Sequence, residues 1–526
     1  MVERLLRPAS LRRGAAVLFL LALAAYWVQA LAWPLQRGRD SWDYWLYFLQ
    51  LLDREPPFSA LMAFRTPVTP LVTGAPMAIG GAQLLEIMMS LAYAGAVLGW
   101  AWAARPFGRV AAVATGCVML INLPYAALFH QVSSDFVFAA LLAPWAGLVI
   151  RAAWEPRTRL LVGVGVGAAL LALTRPANQA LVLSVIAVAL VAAGPWRARS
   201  VRLGIVLAAM LVPLALWAGH NALRYDDFTV ARGGKAWLPF FKVAGSVDPA
   251  NGPASRRLAD AVEREVLTLP AYRRYDVDVH TYSRGLSNLE VLRLIALSDS
   301  AFGWSSDYDV LFDASVEAIR QRPRDYADAV GSTFWQFLSQ RYALGAVEKD
   351  EPIQRGPATI LVDGKPMPSP EALSPLVPAV RYGLVWCPTD DLERCLLRDP
   401  SVAFTSHSEQ ARYRELTARV RDWNAQLPLR DGNETLGSKF ATASWRFPRA
   451  ILWLAVAVLA IAVRRPRGWP ALAILVASGL FVLAVHALSQ SAQNEFAIPV
   501  MPLFVLAAVC GLAGERGSEG LARKER

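Results

Sequence analysis

The chain has 526 residues, 55% of them hydrophobic and 18% charged, with a formal net charge of +11 and a mean hydropathy of +0.34. So apolar a composition excludes an ordinary soluble protein and indicates a membrane protein. The excess of arginine does not indicate nucleic acid, because the basic residues punctuate apolar runs instead of gathering in one hydrophilic segment.

The first 33 residues, MVERLLRPASLRRGAAVLFLLALAAYWVQALAW, join a basic flank to an apolar run too long for a signal-peptide core, and predict a retained first helix. A spanning helix needs about 20 mostly apolar residues. Such runs centre on 13–33, 83–104, 109–128, 136–151, 159–174, 177–194, 202–219, 448–463, 470–488 and 496–513. The expectation is an all-α polytopic membrane protein with about ten transmembrane helices. One set of connections (VERLLRPASLRR, ARPFGR, RAAWEPRTR, PWRARSVR, RRPRGW, GERGSEGLARKER) is rich in arginine throughout. The alternate short ones (FHQVSSD, LTRPANQ, SQSAQNE) share a single arginine. By the positive-inside rule both termini are cytoplasmic.

Four parts follow: a module of seven helices over 1–220 with an outer loop at 34–82, a large extracytoplasmic domain at 221–447, three helices over 448–513, and a cytoplasmic tail at 514–526. In the large domain, DASVEAIRQRPRDYADAVGSTFWQFLSQRY repeats apolar residues at helical spacing, broken at Pro323. A mainly helical α or α+β domain is expected, either lying on the membrane surface or forming a separate lobe. Cys387 and Cys395, in WCPTDDLERC, are a candidate disulfide in an extracytoplasmic segment. Cys117 and Cys510 fall in apolar runs and read as packing residues. No CxxC or HExxH spacing is present, so a structural zinc site is not expected. No internal repeat points to a two-fold transporter.

The polar residues that remain collect at the outer ends of the helices. They are Asp40, Asp43 and Tyr44 after the first helix; Arg65 in FRTPVTP; and His130, Ser134 and Asp135 in FHQVSSDF. Arg175 follows in LTRPANQ, then His220, Asn221 and Arg224 in GHNALRYDDF. Ionisable groups at membrane depth are costly, so each is a functional candidate. Each also has a structural alternative. Asp40 or Asp135 would serve as a helix cap, and Asp43 suits a first helical turn. Arg175 would reach headgroups, and Arg65 would sit in a surface loop. His130 would be an ordinary interfacial side chain. The aromatics Trp42, Tyr44, Trp45, Tyr47 and Phe48 suit an interfacial helix.

In order and sidedness these segments resemble the GT-C glycosyltransferases. The likeness lies in an acidic residue after the first helix, FRTPVTP in the first outer loop, Ser134–Asp135 opening the fourth helix, Arg175–Pro176 after the fifth, and N-x-x-R-Y-x-x-F from Asn221 after the seventh. Bacterial members similar to protein mannosyltransferases and lipid A aminoarabinose transferases are closest, over residues 13 to about 232. EAIRQRPRDYADAV and NEFAIPVMP resemble later segments of such members, with Glu495 where their pattern has arginine.

The resemblance implies transfer of a sugar from a polyprenyl-phosphate carrier to a glycan, lipid or protein acceptor, at the periplasmic face of a bacterial inner membrane. It implies Asp40 as the catalytic carboxylate, with Asp135 orienting the acceptor, supporting an arginine or ligating a cation. Arginine pairs bidentately with phosphate, which assigns Arg65, Arg175 and Arg224 to the donor phosphate. Asp43, Tyr44, His130, Ser134, His220, Asn221 and Glu495 are candidate substrate contacts. No cofactor is required, although Asp40 with Asp135 would suit a divalent cation such as Mg or Mn. A glycan polymerase or ligase with a lipid diphosphate donor, a lipid or glycan transporter, and a non-catalytic scaffold are the competing readings.

Overall fold

The computed structural model describes residues 8–38, 40–51, 64–268, 270–285, 294–295, 297–298, 301–306, 308–341, 359–362, 364–368, 376–379, 383–386, 407–489 and 494–515. The chain is a mainly α-helical polytopic membrane protein. Six helices are long and apolar enough to cross a membrane: Arg13–Ala30, Val68–Phe107, Ser134–Trp154, Trp196–Tyr225, Glu434–Arg464 and Trp469–Ser489. A seventh span arises if Arg109–Ile121 and Leu123–His130, bent by 62°, count as one. Each of the ten expected runs holds an apolar helix. Thr158–Ala172, Pro176–Val191 and Met501–Ala513 are shorter than a full span, so six or seven helices meet the length where about ten were expected. Prolines explain the shortening: Pro176 ends one run, and Pro499 and Pro502 delay the last.

The expected loop 34–82 contains helix Ser41–Leu51 and the beginning of helix Val68–Ala104. Pro67 and Pro70 read as breakers but sit at the start of that helix, where a missing N–H costs little. The helix is interrupted at Gly80 and Gly81, and Gly81 has φ +65°, a conformation open to glycine. The expected helix 83–104 is the part beyond this break.

Small residues let the helices approach closely. A Cβ on Gly147 would lie 2.1 Å from the Trp102 ring, and one on Gly165 would lie 2.4 Å from the Val206 carbonyl oxygen. At the arginine-rich end, Arg151 donates to the Gly147 and Trp102 carbonyls and lies over the Trp102 ring.

The long hydrophilic segment builds its own apolar core around Phe240, Leu258, Tyr272, Tyr282 and Leu311. Its helices include Gly234–Val243, Pro253–Glu265 and Asp309–Gln321. The break expected at Pro323 separates Asp309–Gln321 from Pro323–Ser339. Two short hairpins, Thr359–Val362 with Lys365–Pro368 and Leu376–Ala379 with Gly383–Trp386, accompany the helices. Cys387, Cys395 and most of the tail lie outside the described residues.

Glu317 staples this domain: its carboxylate accepts from the backbone N–H groups of Ala254 and Ser255 and from the Ser255 hydroxyl. Burial pushes the Glu317 carboxyl up, but these hydrogen bonds outweigh it and hold it below its ordinary value. A depressed folded-state value gives a contribution that is full above the unfolded value and is lost as pH falls through the folded one. Thermal unfolding of wild type and Glu317→Gln, followed from about pH 6 to about pH 3, should show midpoints that differ at the upper end and converge at the lower. A gap independent of pH would contradict this account.

Candidate functional site

Two strands of two residues start the site. Gln36–Arg37 pairs in parallel with Gln131–Val132, which ties the chain after the first helix to the chain before helix Ser134–Trp154. Gly38 makes the approach possible, because a Cβ there would lie 2.1 Å from the Val132 carbonyl oxygen. Gly38→Ala should therefore push the strands apart, at a cost of about 1–3 kcal/mol, read as faster amide exchange at 36–38 and 131–132. Unchanged exchange there would show that the pairing does not depend on this glycine.

Asp40 follows at once, its carbonyl accepting from the Tyr44 N–H as helix Ser41–Leu51 begins. The helix is buried through Trp45, Leu46, Tyr47 and Phe48. Phe48 packs where Gly74 leaves room, since a Cβ at Gly74 would lie 2.2 Å from its ring. Asp40 and Asp43 fall three residues apart, about one turn. Arg65 spans both. One guanidinium nitrogen lies 2.6 Å from Asp43 and the other 3.3 Å from Asp40. The Asp40 side chain is 41% exposed, so the more loosely paired carboxylate is also the more accessible. The guanidinium also lies 5.1 Å from the centre of the Tyr44 ring.

A second pair lies beside the first. Arg175 donates to Asp135, with side-chain exposures of 12% and 8%. Asp135 is in the first turn of its helix, and the Ser133 hydroxyl caps that turn by accepting from the Asp135 N–H. The two arginine segments are joined through the backbone: Val68 N–H donates to Leu173 O at 3.1 Å, and the Thr69 hydroxyl reaches Thr174 O. The Phe496 ring lies 4.8 Å from the Arg175 guanidinium.

Tyr44 connects the two pairs. It is buried, lies beside the Ser134 side chain, and feels Arg65, Asp40 and Arg175. Burial pushes its phenol up to about 12, so the hydroxyl stays protonated at neutral pH. One turn on, Tyr47 lies within the field of Arg224. Asp40, Asp43, Tyr44, Arg65, Ser134, Asp135 and Arg175 thus form one cluster, with Arg224 beyond it.

Other candidates are placed elsewhere. His130 is buried, stacks on Tyr26 with ring centres 4.3 Å apart, and faces Gln29 at 3.4 Å, so it packs helices together. Asn221 donates to the Thr229 carbonyl at 2.7 Å and turns the chain back after helix Trp196–Tyr225. His220 stacks on Trp217. Glu495 falls on the turn Asn494–Ala497 next to Phe496, and its side chain lies outside the described residues. Sequence reasoning missed Phe496, although its place beside Glu495 in NEFAIPVMP, a segment with a family resemblance, was a usable signal. It also missed Glu86, a lone carboxylate in the apolar run after Gly81.

A divalent cation between Asp40 and Asp135 would have to compete with the arginines that pair with them. Asp40 and Asp135 each direct an oxygen at an arginine. No group of three or more His, Cys, Asp or Glu side chains converges among the described residues, whereas hard cations want several oxygen ligands.

No protein-family model matches the sequence, and no curated protein matches it by sequence. Among solved structures, the chain is similar to the archaeal oligosaccharyltransferase AglB from Archaeoglobus fulgidus, in complex with an inhibitory peptide and a dolichol-phosphate. The identity is 13% and the TM-score 0.42, over 95% of this chain and 50% of that one. It is also similar to ArnT from Cupriavidus metallidurans in the apo state, at 15% identity and a TM-score of 0.33, over 96% and 78% of the two chains. For ArnT bound to undecaprenyl phosphate the values are 14%, 0.34, 95% and 77%. The chain thus spans about half the length of AglB. These scores are low, and the functional reading rests on the chain's own residues.

Proposed function

We propose that the chain is a membrane glycosyltransferase of the GT-C type, moving a sugar from a polyprenyl-phosphate carrier to an acceptor at the extracytoplasmic face of a bacterial inner membrane. The observation that carries this reading is the meeting of two arginines and three carboxylates at one end of an apolar bundle, Arg65 with Asp40 and Asp43, and Arg175 with Asp135. Displacement at an anomeric carbon needs a base for the acceptor, positive charge for the departing phosphate, and alignment of the two. The acceptor hydroxyl attacks the anomeric carbon and gives its proton to Asp40. The bond from that carbon to the phosphate oxygen breaks, and the electron pair leaves with the lipid phosphate. Arg65 and Arg175 face that charge, with Arg224, whose charge reaches Tyr47, behind them. Asp43 and Asp135 aim the two guanidiniums. Tyr44 offers a hydroxyl proton to the sugar or phosphate. The domain at 221–447 selects the acceptor, which is a glycan, a lipid or a protein.

The test is native mass spectrometry of Asp40→Asn purified from its own membranes. A variant lacking its base should hold donor without discharging it, so an adduct of polyprenyl phosphate plus one sugar is the expected result. A lipid diphosphate carrying a longer glycan would favour a polymerase or ligase instead. Full function of Asp40→Asn in a deletion strain would overturn the assignment of the base.

A further inference from the structure

The end of helix His407–Ala425 and the residues after it touch helix Ser41–Leu51, helix Val68–Ala104 and the end of the first helix, and nothing in their sequence announces this. Trp423 meets the rings of Trp45 and Phe48, at 5.9 and 6.2 Å between centres, on helix Ser41–Leu51. The Ser41 hydroxyl, next to Asp40, reaches the Asn424 side chain at 3.4 Å. Gln426 accepts from the Ala82 N–H at 2.9 Å, where the helix restarts after Gly80 and Gly81. The first N–H groups of a helix have no partner within it, so Gln426 caps this restart from more than three hundred residues away in sequence.

One turn further on, Arg430 embraces the Glu86 carboxylate with both terminal nitrogens and also reaches the Ala30 carbonyl at 3.4 Å. Glu86 is nearly fully buried within an apolar helix, where an unpaired carboxylate would be expensive. The Asn433 N–H then donates to the Leu31 carbonyl at the end of the first helix. Gly432 lies so close to that end that a Cβ would come within 2.6 Å of the Ala32 carbonyl oxygen.

We propose that residues 423–433 are a positioning strap: anchored on Glu86 and on the helix restart at Ala82, they hold helix Ser41–Leu51, and with it Asp40, in register with Arg65. The functional part of this inference rests on the glycosyltransferase reading above; the mechanical part does not. Neither Gln426 nor Arg430 touches the acid–arginine cluster. Both act through Trp423 and Asn424, so they are positioning residues. The strap closes the large domain's chain onto the site, so that a change in the placement of helix His407–Ala425 reaches Asp40 through Ser41.

The experiment is hydrogen–deuterium exchange on the full chain in lipid nanodiscs. Three variants are compared: Gln426→Leu, which removes the acceptor; Gln426→Glu, which keeps one at a helix start where negative charge is favoured; and the double variant Glu86→Gln with Arg430→Gln, which releases the anchor without stranding a buried charge. Gln426→Leu and the double variant should each speed exchange in helix Ser41–Leu51 by about tenfold or more, while helices Ser134–Trp154 and Asp309–Gln321 stay as in wild type. Gln426→Glu should behave as wild type.

Loosening confined to 82–85, or spread evenly over the chain, would overturn the strap. Titration of undecaprenyl phosphate into wild type and Arg65→Gln keeps the two ideas apart. Equal binding by both would sink the donor reading, and the exchange result would still decide the strap.

Discussion

Asp40→Asn is expected to lower turnover by about 10²–10⁴-fold, the usual worth of a positioned general base, with little change in KM for the lipid donor. Asp43→Asn is expected to do the reverse, raising KM more than it lowers kcat. The two carboxylates share one arginine, and their geometry separates their roles. Asp43 holds the shorter bond to Arg65, at 2.6 Å, and so fixes where the guanidinium points. Asp40 is held at 3.3 Å and its side chain is the more exposed of the two, at 41% against 34%. A base must be reached by the incoming hydroxyl, and a phosphate anchor must be rigid. An interaction made only in the transition state changes kcat, whereas one made equally in the ground state changes KM. Steady-state kinetics with a purified polyprenyl-phosphate sugar would test the assignment. A larger loss of kcat in Asp43→Asn than in Asp40→Asn would exchange the roles of the two.

Much of the architecture was legible because the bilayer imposes a simple rule on the sequence. A run of apolar residues must be helical to satisfy its backbone, and ten such runs hold helices. What the rule does not report is where a helix starts. Val68–Ala104 begins among prolines and passes through a glycine pair, features that read as loop. Its early turns are fixed by a tertiary bond from Val68 N–H to Leu173 O, which no local pattern encodes.

The acid–arginine cluster was legible as a set of residues at one end, but not as pairs. Arg65 with Asp43, and Arg175 with Asp135, depend on how distant segments meet. His130 and Asn221 looked like equal candidates from sequence, because a polar side chain at a helix end is ambiguous until its neighbours are known. Both have packing or backbone partners. Arg430 was invisible, since one arginine in QLPLRDGNET carries no signal. Its partner Glu86 was visible as a lone carboxylate in an apolar run, where burial demands a cation.

Arg175→Gln should lose both stability and function, whereas Arg65→Gln should lose function with stability nearly intact. The reason is the difference in burial between the two pairs. Asp135 and Arg175 are 8% and 12% exposed. Removing one member of such a pair strands the other's charge in a poorly solvated place, at a cost of about 3–5 kcal/mol. Arg65 and its partners are 26–41% exposed, and pairs at that exposure contribute about 0–1 kcal/mol. The double variant Asp135→Asn with Arg175→Gln separates the two effects. With both charges gone, most of the lost stability should return, because neutral amides of similar shape remain able to hydrogen-bond. Donor binding should not return, because the positive charge facing the phosphate is still missing. The comparison is made by thermal unfolding in detergent, alongside binding of undecaprenyl phosphate, for all four proteins. If the double variant regained lipid-phosphate binding together with stability, Arg175 would act only as a counter-charge for Asp135, and the phosphate would be left to Arg65 and Arg224.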